Sequence, residues 1–363
     1  MKIMLVGGVF NEEGGRPSGY VRRLGEALAQ RGVLSRSVNG GHLKDMVAAS
    51  NLLGDVDAVL WFADVPNEYP KFVEGIKARW PRLYLVTSKR NLDHAYGRSE
   101  ILGRALKTKS NLLVEITGSR DRVEATIWDP LGSIYCLEET DVALVAEALD
   151  KRLRRLAEFT RVSSEQAGDK IQAPVDEAFY GLVRDQAERF HEIIHGVGHE
   201  RMMGNASFRC AKGFPSVRSG NLIFVSRRDI DKRYISPENF VAVDADSADP
   251  VRYYGPEKPS VDTPIQVRLY QHYSRVRYML HSHTYIESAP HTNEPVPCGA
   301  IEEADQVIAL FPDSDKADFA VNLRGHGSIV FASSLAGLDT PSWYARRVPE
   351  LSLLVDGSPA LWT

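Results

Sequence analysis

Short apolar runs alternating with amphipathic helical stretches constrain the first half of this chain more than any other feature. KIMLVGGVF, from Lys2, reads as a buried strand, and SGYVRRLGEALAQRG then places Val21, Leu24 and Leu28 at helical spacing. VDAVLWFAD and RLYLVTSKR read as further strands around a helical FVEGIKARW. The order predicts βαβ units and a mainly parallel, Rossmann-like sheet. Ligands of such sheets bind beyond the carboxyl ends of the strands, where Asn11, Asp64 and the group Ser88, Lys89, Arg90 and Asn91 fall. The glycine-rich GGVFNEEGGRPSG between the first strand and helix is neither a G-x-G-x-x-G nor a P-loop. It reads either as a cradle for an anion or as a sterically required turn with Ser18 as helix N-cap.

At 363 residues the chain exceeds what one ordinary core organises, so two domains are expected. A helical ETDVALVAEALDKRLRRLAEFTR is followed by the polar, proline-terminated VSSEQAGDKIQAP, read as a linker. This divides the chain into a Rossmann-like domain over residues 1–165 and a second α/β domain over 175–363. The second opens with an amphipathic helix whose Phe179, Leu182, Val183, Phe190 and Ile194 share one face, and continues with strand-and-turn segments. With 44 Lys+Arg against 48 Asp+Glu and a net charge of −4, no global positive field invites nucleic acid. The apolar run at the start is too short to span a membrane and is unlike a secretory signal, which predicts a cytoplasmic protein without membrane partners. Cys136, Cys210 and Cys298 are odd in number and form no C-x-x-C pair, against a disulfide framework or a zinc knuckle. Each is expected as a reduced, buried small residue.

The stretch YMLHSHTY carries two histidines one residue apart. In a strand His281 and His283 project from the same face, close enough to chelate one ion. Two ligands do not complete a site. His191-Glu192-Ile193-Ile194-His195 spells H-E-x-x-H, with His199 four residues on, the pattern of a metallopeptidase helix. Gly196 and Gly198 interrupt the helix there, so these residues read better as polar flanks of an apolar helix face than as a peptidase site. A third imidazole is offered by Gly325-His326-Gly327, whose glycines let the backbone turn tightly.

Taken in order, G-N-A-S-F-R at 204–209, K-P-S-V-D at 258–262, the H-x-H and R-G-H-G at 324–327 resemble the class II aldolase/adducin family over about residues 175 to 335. The resemblance implies a mixed α/β domain with a central antiparallel sheet, assembled as a homo-oligomer, with a tetramer favoured and sites between subunits. It implies Zn²⁺ or another divalent transition metal held by His281, His283 and His326. Asn205, Ser207 and Ser260 would bind the substrate. Asp262 stands where the aldolases carry a catalytic Glu and the family's sugar-phosphate epimerases an Asp. Arg228-Asp229 replaces the Ser-Gly of the family's phosphate loop, so the loop would read a different anion, through Arg227 or Arg228, or no phosphate at all. Tyr344 is the candidate for the catalytic tyrosine that the resemblance implies is supplied by a neighbouring subunit.

The chemistry follows from the residues as well. Three neutral imidazoles leave a zinc ion its full charge and open positions for a carbonyl and an adjacent hydroxyl. A nearby carboxylate, Asp262, can then move the proton, unless it is only a loop acid or the N-cap of the helix TPIQVRLYQHY. The expectation is a lyase of the aldolase type, or an epimerase, acting on a small, phosphorylated sugar through a metal-stabilised enediolate. The alternative is a non-catalytic, adducin-like binding or assembly protein.

Overall fold

The computed structural model describes residues 1–7, 19–38, 51–62, 70–91, 96–97, 100–101, 105, 108–118, 122–193, 204–210, 221–338, 354–355 and 358–359. Its contacts divide the chain into two units, Met1–Glu158 with Glu350–Thr363, and Phe159–Pro349.

In the first unit β1 (Lys2–Gly7), α1 (Gly19–Gln30), β2 (Leu34–Val38), β3 (Ala58–Phe62), α2 (Pro70–Arg79) and β4 (Tyr84–Arg90) come first. They are followed by β5 (Leu112–Gly118), β6 (Val123–Trp128), β7 (Ile134–Glu139) and α3 (Val142–Glu158). The sheet runs β2-β1-β3-β4-β5-β6-β7. Its first five strands are parallel, as the alternation predicts. β5, β6 and β7 are antiparallel, because the short links between them leave no room for a crossover. Met4, Val6, Val59 and Leu85 form one apolar cluster with Ile76 of α2. Val21, Leu24 and Leu28 are the buried stripe of α1, which packs on α3.

The second unit contains β8 (Ser164–Gly168), α4 (Glu177–Ile193), β9 (Asn205–Arg209), β10 (Leu222–Ser226), β11 (Phe240–Ala248) and β12 (Val251–Tyr254). α5 (Thr263–His272), β13 (Tyr278–Ser282), α6 (Glu302–Leu310), β14 (Phe319–Leu323), β15 (Gly327–Ala332) and α7 (Leu335–Leu338) complete it. The sheet order is β14-β15-β13-β9-β10-β11-β12-β8, antiparallel except where β8 joins β12. The stretch read as a linker therefore contains an edge strand of this sheet. Its ladder is made by the backbone while its side chains stay mostly exposed, so no apolar alternation marks it.

Two apolar layers cover the sheet. On one face Met279, Ile329 and Phe331 pack under Ile265, Val267 and Leu269 of α5 and Ala304 and Val307 of α6. On the other Ala206, Phe208, Leu280 and Val330 meet Phe179, Val183 and Phe190 of α4. Among the described residues no helix is long and apolar enough to cross a membrane.

Candidate metal centre

Strand parity aims the first histidine. Met279 belongs to the layer under α5 and α6, so His281, two residues on, projects from that same face of β13. The register sets it opposite Asn205 of β9 on one side and Ile329 of β15 on the other. Two glycines let the backbones close in here. A Cβ on Gly204 would overlap the carbonyl oxygen of His281, and one on Gly327 that of Ser282; both have positive φ, +78° and +128°. His326 lies in the turn between β14 and β15, where the Gly325 N–H donates to the Tyr285 hydroxyl at 2.7 Å.

The three imidazoles converge. Ring centres of His281, His283 and His326 are 4.7 to 5.3 Å apart, and one nitrogen of each lies within 4.8 Å of the others. His281 Nδ1 donates to the Ser328 carbonyl at 2.9 Å, which fixes the tautomer and turns the Nε2 lone pair into the cluster. His281 Nε2 and His283 Nδ1 are buried and have no hydrogen-bond partner among the described residues. Burial, with the neighbouring His326, lowers the His281 pKa to about 4. His283 is pushed well below the ordinary value by burial and the other two rings. Both imidazoles are thus neutral at pH 7, the form that ligates. Burial also opposes charge on His326, but the Glu303 carboxylate, with both oxygens 2.9 Å from Nδ1, outweighs it and raises the pKa well above the usual value. Glu303 is 1% exposed and holds Nδ1 so that Nε2 faces the cluster. Three convergent nitrogen donors, two of them orphaned in a buried site, fit a borderline divalent transition metal.

A carboxylate faces the same space. Asp262 precedes α5 but makes no side-chain capping bond, so the N-cap role does not account for it. Its Oδ2 accepts from Asn205 Nδ2 at 3.3 Å and lies 3.9 Å from His281 Nε2, while Oδ1 is buried without a partner among the described residues. Asn205 Nδ2 also donates to Ser260 Oγ at 3.2 Å, and the Gln266 amide donates to Asn205 Oδ1, which sets the orientation of the Asn205 amide.

Other sequence candidates fall elsewhere. Ser207 is fully buried, its hydroxyl 3.1 Å from the Tyr270 hydroxyl in the core under α5, so it is a packing residue here. Arg227 and Pro259 form a β-bridge beside the Ser260–Asp262 segment, and Arg227 Nε is buried without a partner among the described residues. Arg228 is exposed. Asp229, where the family has Gly, adopts φ +59°. His191 and Glu192 lie on the last turn of α4, and neither joins a metal-competent group among the described residues. Tyr344, His195, His199, Asn11, Asp64, Ser18 and Ile194 lie outside the described residues. In the first unit Asn91 is tied to Glu115 at 2.7 Å and Lys89 lies 3.8 Å over the Tyr96 ring, so these polar groups satisfy one another.

Three residues at the cluster escaped sequence reasoning. Glu303 carried no signal beyond being one of three acids in the first turn of a helix. Lys232 is 7% exposed, and burial lowers its pKa to about 8 against the opposing charges of Asp229, Asp262 and Asp231. Cys298, expected to be buried, is exposed as a residue, but its thiol is enclosed, so that burial raises the thiol's pKa, and Sγ is 3.4 Å from His326 Nε2. Cys136 and Cys210 are partly buried.

Residues 187–338 match the model of the Class II Aldolase and Adducin N-terminal domain. This part of the chain is a class II aldolase/adducin domain. No curated protein matches the chain. Among solved structures, L-fuculose 1-phosphate aldolase is 16% identical, with 46% of this chain and 80% of that chain covered at a TM-score of 0.35. An aldolase II superfamily protein from Pseudomonas syringae is 14% identical, over 44% and 69%, with a TM-score of 0.30. The C-terminal domain of the coenzyme A biosynthesis bifunctional protein CoaBC is 14% identical, over 43% and 95%, with a TM-score of 0.34. The aldolase/adducin domain spans all three histidines, Asp262, Glu303 and Cys298.

Proposed function

We propose that the aldolase/adducin domain is a metal-dependent lyase or epimerase acting on a small, phosphorylated, sugar-like hydroxycarbonyl compound. The observation that carries this reading is the pair of buried ring nitrogens without a partner among the described residues, His281 Nε2 and His283 Nδ1, beside His326 Nε2. A scaffold has no use for such orphans, since leaving a buried polar atom unpaired costs about 1–3 kcal/mol each. His281, His283 and His326 would hold Zn²⁺ or a related divalent ion. Bound there, the ion supplies positive charge that acidifies a carbon next to a carbonyl or eases the breaking of a carbon–carbon bond beta to it.

The remaining work falls to the chain's own groups. Asp262 Oδ1, free of any cap, takes up or returns the substrate proton. Asn205 holds Oδ2 and, with Ser260, offers polar contacts to substrate hydroxyls. Lys232 and Arg227 supply positive charge for an anionic group of the substrate, in place of the usual Ser-Gly loop.

The test is Asp262→Asn in a metal-loaded enzyme, after sugar phosphates and related hydroxyketones have been screened with Zn²⁺, Mn²⁺ or Co²⁺. The amide keeps the shape but cannot accept the proton, so turnover falls by about a hundredfold or more while metal content is unchanged. Near-normal turnover would remove Asp262 from the chemistry. A protein that binds one metal per chain yet turns over none of these compounds would favour the adducin-like binding role.

A further inference from the structure

Beyond the three histidines, we infer that Cys298 is a fourth ligand of the resting metal site, closing the position that a substrate must occupy. This rests on the metal reading above. A zinc ion about 2.05 Å from nitrogen and about 2.3 Å from sulfur has a tetrahedral N···S edge of about 3.6 Å. Cys298 Sγ lies 3.4 Å from His326 Nε2, close to that edge. The other nearby donor fits less well. Asp262 Oδ2 is 3.9 Å from His281 Nε2, whereas a tetrahedral N···O edge is about 3.4 Å. The thiol is therefore placed for coordination beside His326; Asp262 shares a metal-competent group with these two residues, but its Oδ2 lies beyond an N···O edge of His281 and is left to proton transfer.

Two further observations point the same way. His281 Nε2, in a residue only 2% exposed, has no partner among the described residues, and Cys298 forms a metal-competent group with Asp262 and His326, the last of which also belongs to the three-histidine group, so the thiol is not an isolated cysteine. The Cys298 loop is also seated: a Cβ at Gly299 would press on the carbonyl oxygen of Val261, next to Asp262. Coordination forms the sulfur–metal bond as the S–H bond breaks, with the proton released to solvent. A thiolate cancels one unit of the ion's charge. The resting site is thereby less electrophilic than a three-histidine site, and displacement of the thiolate by substrate restores the charge when it is needed.

Cobalt substitution tests this, because thiolate ligation gives Co²⁺ a near-ultraviolet charge-transfer band that histidine and carboxylate ligands do not. Full-length protein is titrated with Co²⁺, and bound metal is counted in parallel. The expected result is a band that saturates with one cobalt per chain and disappears in Cys298→Ser and Cys298→Ala while the cobalt remains bound. Cys136→Ser and Cys210→Ser should keep it. Cobalt bound by the wild type without the band, or a band that survives both Cys298 variants, overturns the inference and leaves the three-histidine reading intact. Failure of the wild type to bind cobalt defeats both, and the metal count distinguishes that outcome.

Discussion

Replacing Glu303 by Gln probes the cluster without touching a ligand. The carboxylate is 1% exposed, and both its oxygens lie 2.9 Å from His326 Nδ1. The amide keeps size and an acceptor oxygen but loses the charge that makes the imidazole a stronger donor at Nε2. Changes in groups that hold a metal-ligating histidine weaken metal affinity by about 10- to 100-fold, or about 1.4–2.7 kcal/mol. Burial away from screening solvent places Glu303 toward the upper end of that range. The effect carries a pH signature. With Glu303 present the His326 pKa is held well above the ordinary value, so protons compete with metal for the cluster and affinity climbs as pH rises through that pKa. In Glu303→Gln the His326 pKa falls, so the climb shifts to lower pH and the affinity loss shrinks on the acid side. Zinc competition against a chromophoric chelator across pH 5.5 to 9 measures both. Equal affinity of wild type and variant at every pH would refute the assignment of Glu303 as the group that tunes His326.

Alanine at His281, His283 or His326 is expected to remove most bound metal, whereas His191→Ala leaves it in place; elemental analysis of the purified variants decides, and metal lost from His191→Ala alone would revive the H-E-x-x-H reading. Lys232→Met is expected to keep the metal but to weaken binding of inorganic phosphate to the metal-loaded protein by about tenfold or more, the worth of one charge-assisted hydrogen bond. Calorimetric titration checks this, and unchanged phosphate affinity would reduce Lys232 to a counter-charge for its three aspartates.

Much of the architecture was legible because periodicity follows from burial. Val21, Leu24 and Leu28 had to share a helix face, and the runs at 2–7, 58–62 and 84–90 had to be interior strands. β8 was not legible, since an edge strand held by backbone hydrogen bonds needs no apolar side chains. The antiparallel β6 and β7 were missed because the sequence signal of a parallel sheet says nothing about what is added to its edge.

At the metal centre the sequence by itself determined the chemical types and their order: an Asn after a glycine, an Asp in a P-S-x-D loop, two histidines of matching parity, and a histidine between glycines. Tertiary structure decided which nitrogen of His281 and of His326 is turned to the cluster, because that depends on the Ser328 carbonyl and the Glu303 carboxylate, 47 and 23 residues away along the chain. It also separated Asn205 from Ser207, two residues apart on one strand face, by giving one to the cluster and the other to Tyr270. Lys232 and Cys298 became part of the site only through folding. A lysine and a cysteine are unremarkable in a sequence, and it is desolvation beside convergent imidazoles that gives them a role.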